Sequence, residues 1–193
     1  MERGATLLEW AMPVWHVHEV HEVVVLAPRD VVWSALHEVT LREVPLFRAL
    51  MTLRELPGLL TGRRWLTAGV DRPILAQMAG SGFVLLGERP PAEIALGLVA
   101  RPWRPDGGPV RLETPEAFLA FDAPGWAKAV LAFRLEARDG TTRLLSETRV
   151  LATDTSARRR FRAYWFVVGW ASGASRTAWL GAVDRLADRR RPD

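Results

Sequence analysis

The chain has 193 residues, a formal net charge of +4, 49% hydrophobic and 25% charged residues, and no cysteine. A chain of this length buries about 70% of the surface it exposes when unfolded, which supports a core without cross-links, and its apolar content excludes general disorder beyond the ends. The missing cysteine excludes disulfides, thiolate metal sites and a cysteine nucleophile together, and makes a reducing cytoplasm the expected location.

The opening MERGATLLEWAMP lacks an apolar segment of signal-peptide length, and nowhere does the chain reach the ~18 consecutive apolar residues that span a bilayer. Neither secretion nor a transmembrane segment is expected. The sequence pI of about 10.7 overstates the basicity of the surface, because Lys128 is the sole lysine and arginine does not titrate in this range. Two basic clusters remain, Arg158, Arg159, Arg160 with Arg162, and Arg189, Arg190 and Arg191. Solvated helix faces are the first reading of both, and contact with an anion, nucleic acid or membrane surface is the alternative.

Residues 17–26 read as a strand ending in Val23, Val24, Val25 and Leu26, broken by Ala27 and Pro28. A short helix starts after that proline, with Val32, Ala35 and Leu36 on one face. A second is expected from Pro45 to about Glu55, ended by Pro57 and Gly58, and a third, brief one from Pro73 to Met78. From Phe83 the period changes to two: one strand from Phe83 to Glu88, a break at Pro90 and Pro91, and another from Glu93 to Arg101. Arg104 to Pro109, with two glycines and two prolines at positions 105–109, is turn chemistry and the expected mobile loop. A strand is expected at Ala117 to Phe121, then a hairpin from Ala127 to Ala137 and Arg143 to Ala152 around Asp139 and Gly140. The remainder, Ser156 to about Arg189, carries no proline and keeps helical spacing over a length of roughly 50 Å.

One strand, two helices, several antiparallel strands and one long terminal helix is the order of an α+β helix-grip (START-like) fold, in which a curved sheet of about six strands wraps a C-terminal helix. Particular residues add to it. Glu147-Thr148-Arg149-Val150, then Thr153-Asp154, then Ala157 through Trp165, resembles the end of many bacterial SRPBCC (polyketide cyclase/dehydrase-like) proteins. Gly82 to Leu85 leading to Glu88 through Glu93 and Gly97 resembles them too, as does Val23 to Trp33. The resemblance spans about residues 14–187, and its strength is the collinear order. Residues 14–189 are expected to form one domain, with 1–13 and 190–193 as flexible ends. Related sequences often carry a proline halfway along the last helix, where this one has Val168 to Gly173, so any bend there falls to glycine.

The resemblance implies a cavity between sheet and terminal helix, and hence a small hydrophobic ligand, lipid-, polyketide- or aromatic-like, as the partner. Gly169, Ala171, Ser172, Gly173, Ala174 and Ser175 make the middle of that helix small-sided, which fits either close packing on the sheet or space for a ligand. Of nine tryptophans, Trp33, Trp65, Trp103, Trp126, Trp165 and Trp170 are candidates to line such a site. The ligand-binding candidates are Trp103, Trp126, Phe133, Trp165 and Ser172. Glu147 and Arg149 share a strand face: facing the cavity they offer a general base and an oxyanion anchor, and facing outward they form a surface ion pair. His16, His18 and His21 invite a metal reading, but zinc needs three or four converging ligands and only His37 remains to complete a set, so no metal is expected. His37 reads as a helix-end residue.

No G-x-S-x-G elbow, G-x-x-x-x-G-K-[ST] loop or G-x-G-x-x-G turn occurs, and the position of Lys128 near a turn argues against a desolvated lysine. No cofactor and no nucleic-acid partner are expected. The leading reading is a binder of a small apolar molecule; a cyclase/aromatase using a cavity acid/base group is the alternative, and an arginine-dependent interaction module the third.

Overall fold

A computed structural model describes residues 5–49, 69–104 and 108–190. Among them the chain forms one five-stranded antiparallel sheet with helices on both faces, in the helix-grip arrangement. The elements are α1 (Leu7–Ala11), β1 (Val17–Val25), α2 (Arg29–Glu38), the helical residues 45–49 (α3), α4 (Ile74–Gly80), β2 (Val84–Arg89), β3 (Glu93–Ala100), α5 (Pro115–Ala120), β4 (Ala127–Arg138), β5 (Thr141–Ala152) and α6 (Thr155–Asp188). The strand order is β1-β5-β4-β3-β2. The continuation of α3 past residue 49, Trp65 and positions 105–107 of the expected mobile loop lie outside the described residues.

Five strands stand where about six were expected, because Ala117 to Ala120 belongs to helix α5. Thr114 caps that helix, its Oγ1 accepting from Ala117 N at 3.2 Å, and Pro115 occupies the first helical position, where a missing N–H costs nothing. Local capping outweighs the apolar alternation that suggested a strand. The N-terminal residues expected as a flexible end contain α1, started by a capping box in which Thr6 and Glu9 exchange hydrogen bonds. Leu7, Leu8, Ala11 and Met12 are buried there.

Between β4 and β5, Asp139 and Gly140 both take positive φ, the geometry of a tight hairpin turn that glycine adopts without strain. β4 and β5 pair over twelve residues each, and β5 pairs β1 from Val17↔Val150 to Val25↔Thr142. Asp154 starts α6 by accepting from Ala157 N at 2.8 Å, and Gly125 N donates to the same carboxylate. This 34-residue helix runs unbroken through Gly169 and Gly173.

The two faces of the sheet hold different cores. One packs Ile94, Leu96, Leu131, Phe133, Leu135 and Leu144 against α2, α4 and α6, with Trp179 at its centre. The other packs Val84, Leu86, Ala95, Val99, Val130 and Ala132 under α1 and α5, with Phe118 at its centre. Successive strand residues point to opposite faces, which separates the two cores.

Candidate functional site

Residues directly opposite in antiparallel strands share a face, so the face under α6 is a set of cross-strand rows. One row runs Ile94, Phe133, Ser146, His21, and the next Leu96, Leu131, Thr148, Glu19. Both are apolar on β3 and β4 and polar on β5 and β1. The rows beyond return to apolar: Leu135, Leu144 and Val23 on one side, Ala129, Val150 and Val17 on the other. Four polar side chains therefore form an island within an apolar wall.

The middle of α6 covers that island. Ser172 Oγ lies 3.3 Å from Glu19 Oε2, and Gly173 lets the His21 ring come so close that a Cβ built there would sit 3.3 Å from its Cε1. Gly169 makes room in the same way for the Trp165 indole. The small side chains of α6 thus serve close approach at these two positions. Arg176 stands one turn before Trp179, its guanidinium 5.7 Å from the indole, and Trp179 rests on Phe133 with ring centroids 5.0 Å apart.

Three polar atoms here are buried and have no hydrogen-bond partner among the described residues: His21 Nε2, Ser146 Oγ and Trp179 Nε1. A buried donor or acceptor left unpaired costs about 1–3 kcal/mol, so three together mark a place where the fold forgoes stability. Arg176 adds charge. Burial pushes its guanidinium down to about 10, partly opposed by the Glu19 carboxylate, while the side chain keeps some access to solvent. It stays cationic at neutral pH. A cation, a carboxylate, an imidazole, hydroxyls and an indole N–H on one apolar wall can hold an oxygen-bearing group and exchange protons with it.

Phe133 and Ser172 belong to this site. Trp165 stacks on Phe161 at 5.4 Å and, with Trp103, Ala127 and Val150, forms a cluster at the first turns of α6. Trp103 Nε1 is also buried without a partner among the described residues. Trp126 faces the α1 side, edge-on to Phe121 at 6.0 Å with Arg101 over its ring, because it is one residue out of phase with the interior-facing Ala127. Trp170 is exposed, and Trp33 lies beside His37 at 4.6 Å.

Glu147 and Arg149 share a face, and it is the one away from α6. Glu147 lies 3.2 Å from His18 Nε2 and 3.9 Å from Arg134. Arg149 is buried beneath α1, donates to Met12 O at 2.9 Å and stacks over Trp15 at 4.0 Å. Each thus has partners other than the other. The histidines are dispersed as well: His16 Nδ1 accepts from Ala152 N, His18 meets Glu147, His21 turns inward, and His37, in the last turn of α2, reaches Glu88 at 2.9 Å. Among the described residues no three His, Asp or Glu side chains converge on a common point.

Lys128 corrects the expectation drawn from its neighbouring turn. It is buried, its amine donates to Leu119 O and Phe121 O at 3.0 Å each, and desolvation holds its pKa below the ordinary lysine value. Those carbonyls end α5 and need donors, so the amine has a structural duty. On the same face an open cleft of about 220 Å³ runs along Thr6, Glu93 and Arg134. Its Glu93 is already committed to Leu7 N at 3.0 Å and to Arg89.

Sequence reasoning missed Glu19, Ser146, Thr148 and Arg176, and weighed His21 only as a metal ligand. The available signal was two consecutive same-face polar residues within apolar alternation, Glu19 and His21 between Val17 and Val23, and Ser146 and Thr148 between Leu144 and Val150.

No family model matches the chain, and no curated protein matches it. Among solved structures it is similar to the Zhui aromatase/cyclase from Streptomyces sp. R1128, at 18% identity and a TM-score of 0.35, over 90% of this chain and 94% of that one. So loose a likeness carries no functional weight, and the helix-grip assignment rests on this chain's own strand order and terminal helix.

Proposed function

We propose that the chain binds a small, mainly apolar molecule with one oxygen-bearing end, held between the sheet and α6. The observation that carries this reading is the polar island under α6, with His21 Nε2, Ser146 Oγ and Trp179 Nε1 buried and unpaired among the described residues, beside the half-buried cation of Arg176. Phe133, Leu131 and Leu96 supply the apolar wall, and Trp103 and Trp165 flank it towards the start of α6. A carboxylate, phenolate or carbonyl oxygen accepts from Arg176, Ser146 and Trp179 together, whereas a pure hydrocarbon leaves all three unsatisfied.

The test is native mass spectrometry of freshly purified protein against the same sample denatured, followed by competition between a long-chain carboxylic acid and its parent hydrocarbon. Expected are a co-purifying small molecule and a preference for the acid that Arg176→Met removes. An empty protein with no saturable uptake of either compound overturns the reading.

A second reading has a specific basis: Glu19 and His21 are titratable groups on the inner face, the requirement for a cyclase/aromatase of the polyketide cyclase type. It transfers the acid/base role from Glu147, which faces away. His21→Asn then abolishes turnover of a reactive poly-ketone and spares its uptake; unchanged turnover removes His21 from that role.

A further inference from the structure

The outer face of α6 carries large apolar side chains in water. Phe166 is 90% exposed, Val167 65% and Trp170 72%. Elsewhere α6 buries its bulk, with Phe161, Trp179, Leu180 and Val183 all turned inward. An exposed aromatic cluster of this kind, unburied by the described residues, marks a contact surface.

Its surroundings specify the partner. Arg158, Arg159, Arg160 and Arg162 are exposed on the preceding turns, and α6 contains no Asp or Glu before Asp184. Positions 159, 162, 166 and 170 follow spacings of three, four and four, so two arginines and the two aromatics lie along one stripe roughly 16 Å long. A second copy of this chain laid parallel would bring arginines against arginines, and laid antiparallel it would still offer them no acidic partner, because α6 has none before Asp184. A helix displays this stripe on a convex surface, whereas single-stranded nucleic acid is held in a groove that tracks its backbone. A surface with negative headgroups and an apolar interior satisfies both halves of the stripe.

From this we infer that α6 docks on an anionic lipid surface, with Phe166, Val167 and Trp170 entering the acyl boundary and Arg159 and Arg162 meeting the headgroups. No helix among the described residues is long and apolar enough to cross a membrane, so this is contact in the plane of the interface. The docking stands independently of any ligand. The same helix presents Ser172 and Arg176 to the interior, so a molecule held there would be separated from the lipid by one helix thickness.

The test is sedimentation of the full chain with vesicles of equimolar phosphatidylglycerol and phosphatidylcholine, and with phosphatidylcholine alone. Binding is expected to the first only, and to weaken with added salt. Each arginine near an anionic surface is worth about five-fold, so Arg159→Ala with Arg162→Ala should weaken binding about 25-fold. Phe166→Ser with Trp170→Ser should weaken it roughly tenfold or more by removing apolar area. All four side chains are exposed, so both double variants should melt with the parent. Absence of binding to the anionic vesicles, equal binding to both kinds, or variants that bind as the parent does overturns the inference. So does a dimer that Phe166→Ser and Trp170→Ser disperses in a protein that ignores vesicles, or a single-stranded oligonucleotide bound in their place.

Discussion

Replacing Ser146 with alanine tests whether the polar island is idle or reserved. Ser146 is 1% exposed, sits between His21 and Phe133 in its row, and its hydroxyl has no partner among the described residues. Leaving that hydroxyl unpaired costs about 1–3 kcal/mol, and alanine removes the cost while shrinking the side chain by one oxygen, so nothing is overpacked. In protein stripped of small molecules, Ser146→Ala should therefore raise the unfolding free energy by about 1 kcal/mol or more, a rise in Tm of roughly 2–4 °C at this chain length. In protein loaded with an oxygen-bearing ligand the same change deletes a donor, and retention should weaken about five- to tenfold. Urea titration before and after stripping, read at constant m, separates the two effects. A stripped variant less stable than its parent by 1 kcal/mol or more, at unchanged m, would show that the hydroxyl is already paired and that the island is a structural network.

Trp179 is wholly buried between Phe47 and Phe133, so Trp179→Ala should cost about 3–5 kcal/mol in equilibrium unfolding; a loss under 1 kcal/mol would place the core elsewhere. Arg149→Met should cost about 1.5–3 kcal/mol through the lost bond to Met12 O and contact with Trp15, and leave ligand uptake unchanged. Altered uptake at unaltered stability would contradict the structural role given to Arg149. The Asp154 carboxyl is held below its ordinary value of 3.8, chiefly by the Ala157 N–H at the start of α6. Its stabilisation is complete above that ordinary value and is lost as pH falls through the lower, folded one. Asp154→Asn keeps a capping side chain without a titrating group, so its Tm should fall less steeply than the parent's below about pH 4. Parallel Tm curves from about pH 2 to 6 would sink this assignment.

The architecture was legible because its strongest signals are local. Asp139-Gly140 demands a tight turn, residues 155–188 hold no proline, and Leu131, Phe133 and Leu135 keep period two along β4. The elements misread were short ones, where a single cap decides. Thr114 with Pro115 makes a helix of six residues from an apolar run, and Thr6 with Glu9 starts a helix of only five that buries Leu7, Leu8 and Ala11. Lys128 was misjudged for a related reason: proximity to a turn in sequence says nothing about which carbonyls the turn leaves in need of a donor.

The site was less legible because period two groups residues by face without saying which face is covered. In β5 one face reads Leu144, Ser146, Thr148, Val150 and the other Leu145, Glu147, Arg149, Leu151, so each has an apolar frame around a polar pair. The charged pair drew attention because charge is conspicuous in a sequence. A buried charge, however, is tolerated where a partner exists, and Arg149 has the Met12 carbonyl and the Trp15 ring that α1 and its following turn bring to it. The pair that lies under α6 is the milder one, Ser146 with Thr148, and it becomes a site only because β1 sets Glu19 and His21 opposite it and α6 lays Arg176 beside it. β1 stands more than a hundred residues before β5 and α6, and only its register on β5 brings Glu19 and His21 to the site. A one-residue slip in that register would exchange Glu19 and His21 for His18 and Val20, or for Val20 and Glu22, so the chemistry of the interior is as much a property of strand pairing as of composition.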